Sequence, residues 1–145
     1  MNQPKVVRPS DRPATLKVVG DEYTSLATGE DTGGSYYMMH AVVHPGGGPT
    51  PHIQTREEEG FYVLEGWVTF WIEGQRQEAP AGTLLHVPRD VAHSFKNESD
   101  AVAKMLIWFA PAGVEDMFPR MAADPQRYQE IGAEFGVQFV EMDQP

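Results

Sequence analysis

The chain has 145 residues, which is enough to bury one hydrophobic core without disulfide or metal staples. Its formal charge of −10 argues against a nucleic-acid partner, because phosphates require a basic surface. The absence of cysteine excludes disulfides, thiolate ligands and cysteine nucleophiles, so that any metal would be bound by nitrogen and oxygen atoms.

The chain is expected to form one domain and to remain in the cytoplasm. It contains no run of 18 apolar residues that could span a bilayer, and no apolar N-terminal segment typical of a signal peptide. We therefore expect no membrane partner. The composition along the chain divides the single domain 1–145 into an N-terminal arm at 1–13, a barrel at 14–110 and a helical tail at 111–145.

The N-terminal part predicts an extended arm followed by three strands. Residues 1–13 carry three prolines and scattered charge, which favours an arm without regular structure. Three segments rich in β-branched and aromatic residues predict strands: 16–19, 23–27 and 35–43. The glycine-rich segment 28–34 predicts a turn. Alternation along the third strand predicts one apolar face: Tyr37, Met39, Ala41 and Val43.

A loop, a short strand, a charged turn and a longer strand follow between residues 45 and 66. Three glycines and three prolines make 45–51 a loop. His52 and Gln54 lie two residues apart, so in a strand their side chains share one face about 6.6 Å apart. Glu59 begins the longer strand and can stand opposite that face. Three side chains with metal-binding atoms therefore converge from a short piece of chain.

The acidic run Glu57-Glu58-Glu59 leaves open, on chemistry alone, which carboxylate would face a metal. Charge runs commonly form solvated turns, and we interpret Glu57 and Glu58 in this way. Strand alternation places Glu59 on one face with Phe61 and Val63, whereas Glu58 belongs to the other face.

A second stretch, 82–97, has the same order of features as the first. Gly82 precedes an apolar segment at 84–87, a turn follows at 88–90, and His93 begins a new strand. A single histidine here indicates nothing alone. Beside the first stretch, however, His93 supplies a further candidate ligand.

The remaining strand segments indicate an all-β fold. Segments 67–72 and 76–79 predict a hairpin, and 101–109 predicts a strongly apolar strand. The chain then contains about eight to ten short strands at regular spacing, which is typical of a barrel or sandwich. Metal ligands would lie inside it, where a dry wall strengthens their electrostatic interactions.

The tail at 111–145 changes to a helical pattern. A short helix is predicted at 113–118, ending before Pro119 or continuing to Ala123. A second helix is predicted from Asp124-Pro125, an N-cap residue followed by proline at the first helical position. Its apolar residues recur at helical spacing: Tyr128, Ile131 and Phe135. A final strand is predicted at 137–141.

Together the two stretches resemble the two signature motifs of the cupin superfamily. The first motif is matched by four residues at its spacing: Gly46, His52, Glu59 and Gly66. The second motif is matched in the same way: Gly82, Pro88, His93 and Asn97. The resemblance implies a small jelly-roll β-barrel around one divalent transition metal, which could be Fe, Mn, Ni, Co, Cu or Zn. It also implies that His52, Glu59 and His93 are metal ligands.

Two residues depart from these motifs. Asp90 replaces a glycine at a turn position that often requires positive φ, which aspartate tolerates better than most residues. Gln54 stands where the family usually has a second histidine, and an amide oxygen is a harder and weaker donor than an imidazole. His52, Glu59 and His93 still form a two-histidine, one-carboxylate set that suits Fe(II) with open positions. Gln54 is either a fourth ligand or a residue that hydrogen-bonds a metal-bound water.

Within the family the sequence most resembles the small quercetin-2,3-dioxygenase-like cupins, over about residues 23–118. That resemblance implies O2-dependent cleavage of a flavonol or a similar enol or aromatic molecule, with the metal as Lewis acid. Glu59 would be the catalytic base for the hydroxyl proton. Four side chains on the same strand faces or behind them are the candidate substrate pocket: Tyr37, Met39, Phe61 and Phe95. N-terminal arms of similar cupins often pack on a neighbouring subunit, which implies a homodimer.

Two other functions remain open, because one fold hosts many activities. One is a cupin that binds metal or a small ligand without turnover, and the replacement at Gln54 favours it. The other is a non-redox isomerase or lyase that acts on an enolisable acid. The metal and its O2 uptake distinguish these alternatives from a dioxygenase.

Overall fold

The computed structural model describes residues 3–145, which contain eleven strands in two antiparallel sheets around one hydrophobic core. The strands are β1 (Leu16–Val18), β2 (Asp21–Ala27), β3 (Tyr37–Val43), β4 (His52–Gln54), β5 (Glu58–Glu65), β6 (Trp67–Ile72), β7 (Gln75–Pro80), β8 (Leu84–Val87), β9 (His93–Lys96), β10 (Ala103–Ala110) and β11 (Val137–Phe139). The first sheet has the order β1-β2-β3-β10-β5-β8 and the second has the order β11-β4-β9-β6-β7. The predicted all-β jelly roll with a short helical tail is confirmed, although the two sheets do not close into a continuous barrel.

Every predicted strand forms, and the predicted ends differ from the observed ones by no more than two residues. The strand faces also agree with the alternation in the sequence. In β3 the four predicted apolar residues are buried while those between them are half-buried. In β5, Glu59, Phe61 and Val63 point inwards, whereas Tyr62 and Leu64 are exposed on the outer face.

The segment predicted as a plain turn at 28–34 contains a short helix, α1 (Gly29–Thr32). Local capping explains the difference. The Asp31 carboxylate accepts a hydrogen bond of 2.9 Å from the backbone N–H of Thr28, which satisfies a donor at the helix start. Gly33 then adopts a left-handed conformation and ends the helix.

The tail forms α2 (Met117–Ala123) and α3 (Tyr128–Glu134), with a 3₁₀ turn at Pro125–Arg127 between them. The first helix therefore begins later than predicted and continues past Pro119. Proline is tolerated there because it lies in the first turn, where the missing N–H has no intrahelical partner. Among residues 3–145, no helix has the length and apolar composition that crossing a membrane requires.

Two backbone positions bring the loop and the turn of the motifs into place. Gly48 has a φ of 132°, and a Cβ atom there would lie 2.0 Å from the carbonyl oxygen of Phe95. The loop before β4 can therefore approach β9 only because residue 48 is glycine. Asp90 has a φ of 71°, as predicted for the aspartate that replaces a motif glycine.

A buried carboxyl group at the start of β2 connects this loop to the first sheet. Asp21 is only 2% exposed, and its Oδ2 accepts a hydrogen bond of 2.8 Å from the Tyr23 hydroxyl. Its Oδ1 has no hydrogen-bond partner within the described residues and faces Gly47, where a Cβ atom would lie 2.6 Å away. Burial raises the pKa of Asp21 to about 7, against smaller opposing effects of Tyr23, the charge of His44 and the nearby Gly48 amide.

This raised pKa predicts that Asp21 destabilises the folded protein as the pH increases. The unfolded chain releases the proton near pH 3.8 and the folded chain near about pH 7, so stability is lost between those values. Asp21→Asn keeps the shape and the hydrogen bond from Tyr23 but cannot ionise. We expect its free energy of unfolding to exceed that of the parent by up to roughly 4 kcal/mol at pH 8, with little difference at pH 4. Urea unfolding across this range tests the expectation, and parallel pH profiles would contradict it.

Candidate metal centre

Three potential ligands from separate parts of the chain meet inside the jelly roll. One nitrogen or oxygen atom from each of His52, Glu59 and His93 lies within 4.8 Å of the others. The three residues are buried, with 7%, 4% and 0% of their surface exposed. The structure therefore brings together the three residues that the two motifs predict.

Strand pairing explains why these side chains meet. His52 of β4 and His93 of β9 are directly opposite each other in the antiparallel register, and their ring centroids are 4.4 Å apart. Glu59 lies on β5 in the other sheet, where alternation with the exposed Glu58 turns it inwards. The cluster consequently forms only when the two sheets pack on each other.

Backbone carbonyl groups orient both imidazole rings. His52 Nδ1 lies 3.0 Å from the Thr50 oxygen, and His93 Nδ1 lies 2.9 Å from the Val91 oxygen. Because a carbonyl can only accept, each Nδ1 carries a hydrogen and donates it. Both Nε2 atoms are thereby directed toward Glu59, in the arrangement that holds metal-binding histidines in one tautomer.

Glu59 is in close contact with both histidines. Glu59 Oε1 lies 2.8 Å from His93 Nε2 and 3.8 Å from His52 Nε2. Desolvation raises the pKa of Glu59, but the two histidines outweigh it and leave the pKa below its usual value. For His93 the effects have the opposite sign. Burial lowers the pKa of His93, but the hydrogen bond and the charge of Glu59 outweigh burial and leave this pKa above its usual value. Nε2 of His93 is the atom in contact with Glu59, and it is also the atom through which His93 would bind a metal ion.

The donor set fits a transition-metal ion. Two imidazole nitrogens and one carboxylate oxygen suit Fe, Zn and related divalent ions. The observed nitrogen–oxygen separations of 2.8 and 3.8 Å bracket the roughly 3.4 Å between ligands of a tetrahedral ion. His52, Glu59 and His93 can therefore hold one metal ion with little rearrangement.

Gln54 lies beside this cluster and is held by an unexpected partner. Its Nε2 donates a hydrogen bond of 2.8 Å to Glu57 Oε1, and both residues are 3% exposed. Burial raises the pKa of Glu57, with Gln54 and two nearby arginines opposing the rise. The prediction that Glu57 is a solvated turn residue is wrong, because its side chain is buried and hydrogen-bonded to Gln54. Glu58 is exposed, as predicted.

Two members of the cluster, His52 and Glu59, line a cavity of about 70 Å³ whose wall is mostly apolar, whereas His93 is not among its lining residues. Of the four predicted pocket residues, Met39 and Phe95 line this cavity. Tyr37 and Phe61 are buried in the surrounding core and are not among the lining residues. The Tyr37 hydroxyl is hydrogen-bonded to Ser25, 2.7 Å away, and Phe61 packs edge-to-face against other rings near His93.

The C-terminal tail covers this cavity. Six of its side chains line the wall: Met117, Phe118, Met121, Tyr128, Val137 and Phe139. The pairing of β11 with β4 places the last two there, with Val137 opposite Gln54 and Phe139 opposite His52. The alternating apolar residues of β11 predicted a strand, but no local signal identifies the strand with which it pairs. Asp21 and Tyr23 line the wall as well.

Comparison with known sequences identifies related proteins. A family model described as "Cupin domain" matches residues 39–109. The quercetin 2,3-dioxygenase of Bacillus subtilis (strain 168) is 30% identical over 109 residues, which cover 74% of this chain and 32% of that protein. This chain thus corresponds to about a third of that relative. The polyketide synthase CurC of Streptomyces cyaneus is 27% identical over 141 residues, covering 92% of each chain.

Comparison with solved structures supports the fold. KdgF from Halomonas sp. superposes with a TM-score of 0.70 at 16% identity, over 79% of this chain and 99% of that chain. At this identity the likeness concerns the fold alone. The family match includes both motif stretches, the two sheets have the jelly-roll order, and the motif residues converge inside it. This chain belongs to the cupin superfamily.

Proposed function

We propose that this protein is a metal-dependent dioxygenase that cleaves a flavonol or a similar enol. The observation that carries the proposal is the buried cluster of His52, Glu59 and His93, of which His52 and Glu59 line an apolar cavity. Such a site offers open metal positions to an enol oxygen and to O2. The similarity to a protein named quercetin 2,3-dioxygenase supports this substrate class.

The residues of the site have distinct tasks in this proposal. A bound metal ion supplies Lewis acidity at the enol oxygen of the substrate. Glu59 has a pKa below its usual value, so it is ionised at neutral pH and can accept the hydroxyl proton. Met39 and Phe95 contribute apolar surface that excludes water and holds a flat molecule.

Substrate entry requires the tail to move. The cavity of about 70 Å³ is well below the roughly 300 Å³ at which ligand pockets begin. The tail that covers it is the element best placed to open, because α2 and α3 are joined at the surface by the exposed ion pair of Arg120 and Glu134. Outward movement of Met121 and Tyr128 would enlarge the cavity without disturbing the strands that carry the candidate ligands.

A second candidate function is a non-redox reaction of a polyketide-type enol, such as an isomerisation or elimination. The alignment with the polyketide synthase CurC favours it, since it covers 92% of both chains. The same Lewis acid and the same base, Glu59, would serve this chemistry without O2.

Metal content tests the centre that both functions share. We expect protein purified without chelator or metal-affinity resin to contain close to one transition-metal ion per chain. His52→Ala removes an imidazole ligand and should lower that content at least tenfold. His86→Ala is the matched control, because His86 is an exposed histidine on β8. Elemental analysis of the three proteins provides the measurement. A parent that is metal-free and takes up no added Fe, Mn, Ni or Zn would reject both functions.

Oxygen consumption separates the two candidate functions. A dioxygenase should consume one O2 per flavonol or enol cleaved, and it should be inactive without O2. Glu59→Gln should abolish this turnover, because the amide cannot accept the hydroxyl proton. An oxygen electrode combined with product analysis tests this. Conversion of a polyketide-type enol at the same rate under nitrogen would instead support the non-redox reaction.

We also propose that two copies associate through the outer face of the first sheet. Tyr62 is opposite Leu84 and also opposite Leu106, so these side chains form an apolar row across β8, β5 and β10. Tyr62 is 39% exposed and Leu84 is 61% exposed. At the edge of this row, Lys104 Nζ lies 3.6 Å from Glu65 Oε2. These two charges balance each other locally, although the whole chain has a net charge of −10. A two-fold axis would pack the same apolar row of each copy against the other.

A charge placed in this row tests the homodimer. We expect the parent to have the mass of a dimer in size-exclusion chromatography with light scattering, and Leu84→Glu to have the mass of a monomer. The matched control is Gln77→Glu, which adds the same charge to the exposed face of β7 in the other sheet. A monomeric parent, or a dimer that survives Leu84→Glu, would contradict the proposal.

A further inference from the structure

Glu57 is a buried carboxylate beside the candidate ligands, although its neighbour Glu58 is exposed. Burying a carboxylate costs free energy, and a turn in an acidic run can avoid that cost by facing water. Glu57 instead forms a buried side-chain hydrogen bond of 2.8 Å with Gln54. The burial of Glu57 therefore needs a structural explanation.

Glu57 is not needed to hold the turn in place, because other hydrogen bonds hold the backbone around the turn. The Thr55 N–H and hydroxyl both donate to the Gly136 carbonyl, over 3.1 and 2.5 Å. The Asp90 N–H donates to the Gln54 carbonyl over 2.9 Å. The bond between Gln54 and Glu57 thus acts on the Gln54 side chain rather than on the course of the chain.

The hydrogen bond determines which end of the Gln54 amide enters the cavity. A carboxylate accepts but cannot donate, so the amide nitrogen must face Glu57. Gln54 shares the buried face of β4 with His52, and it lines the cavity together with His52 and Glu59. The amide oxygen is therefore the atom that Gln54 presents beside the candidate ligands.

We propose that Glu57 is a positioning residue, which holds the Gln54 carbonyl oxygen toward an ion bound by His52, Glu59 and His93. The inference rests on the metal centre proposed above. Carbonyl and carboxylate oxygens suit Mn²⁺, whereas imidazole suits Zn²⁺, Cu²⁺ and Ni²⁺. An oriented amide oxygen in place of a further imidazole therefore shifts the preference of the site toward Mn²⁺ relative to Zn²⁺.

The test is the ratio of Mn²⁺ to Zn²⁺ association constants, measured on metal-free protein by competition with a chelating dye. Glu57→Gln keeps the size of the side chain, but the new amide group can present either its oxygen or its nitrogen to Gln54. We expect it to lower the ratio about tenfold, the effect typical of removing a partner of a metal ligand. Glu57→Ala, which removes the partner altogether, should lower the ratio at least as far. The Mn²⁺ electron paramagnetic resonance spectrum should change in both variants.

Glu58→Gln is the matched control, because it removes the same charge from the neighbouring residue, which is exposed. It should leave the ratio within twofold of the parent value, which separates orientation of Gln54 from loss of negative charge. Gln54→His, which exchanges the oxygen donor for an imidazole, should shift the preference toward Zn²⁺ whatever residue is at 57.

Two results overturn the inference, and they are distinguishable. If both Glu57 variants keep the parent ratio and spectrum while His52→Ala abolishes binding, the metal centre stands and the role of Glu57 is wrong. If the parent binds neither Mn²⁺ nor Zn²⁺, the proposed function fails together with the inference.

Discussion

The candidate site depends on one register pair, His52 opposite His93 in the pairing of β4 with β9. A slip of β4 by one residue would turn His52 and Gln54 to the outer face, while β9 would stay in place through its pairing with β6. The strand β4 has only three residues, but it is held on both sides, since β11 pairs with its other edge. The position of the loop before β4 is restricted as well, because Gly48 packs closely against the Phe95 carbonyl.

Electrostatics around this pair favour a cation. Glu59 places a buried negative charge between two imidazoles, and the resulting attraction opposes the cost of desolvating it. Glu57 adds a second buried carboxyl group behind Gln54, and Asp21 adds a third farther along the cavity wall. Burial raises the pKa values of Asp21 and Glu57, whereas that of Glu59 is lowered. Of the three, Glu59 is the carboxyl group whose pKa lies below its usual value, and it is the one in contact with both histidines.

The tail is part of the site rather than an appendage to the jelly roll. Through β11 it extends the sheet that carries both histidines, and through α2 and α3 it closes the cavity above them. The ring centroids of Phe139 and His52 are 6.1 Å apart, so a movement of the tail would change the surroundings of a candidate ligand. The segment that closes the cavity therefore also packs beside a candidate ligand.

The sequence by itself determined the strands, their inward faces and the three convergent candidate ligands, because alternation and motif spacing are local properties of the chain. It also indicated that Asp90 would adopt positive φ, since that need arises within a single turn. Only the tertiary structure decided that Glu57 is buried against Gln54. It alone paired β11 with β4, with Phe139 opposite His52. Burial and strand partners depend on packing between segments far apart in the chain, and an acidic run or a short apolar strand has the same local pattern whichever way it packs.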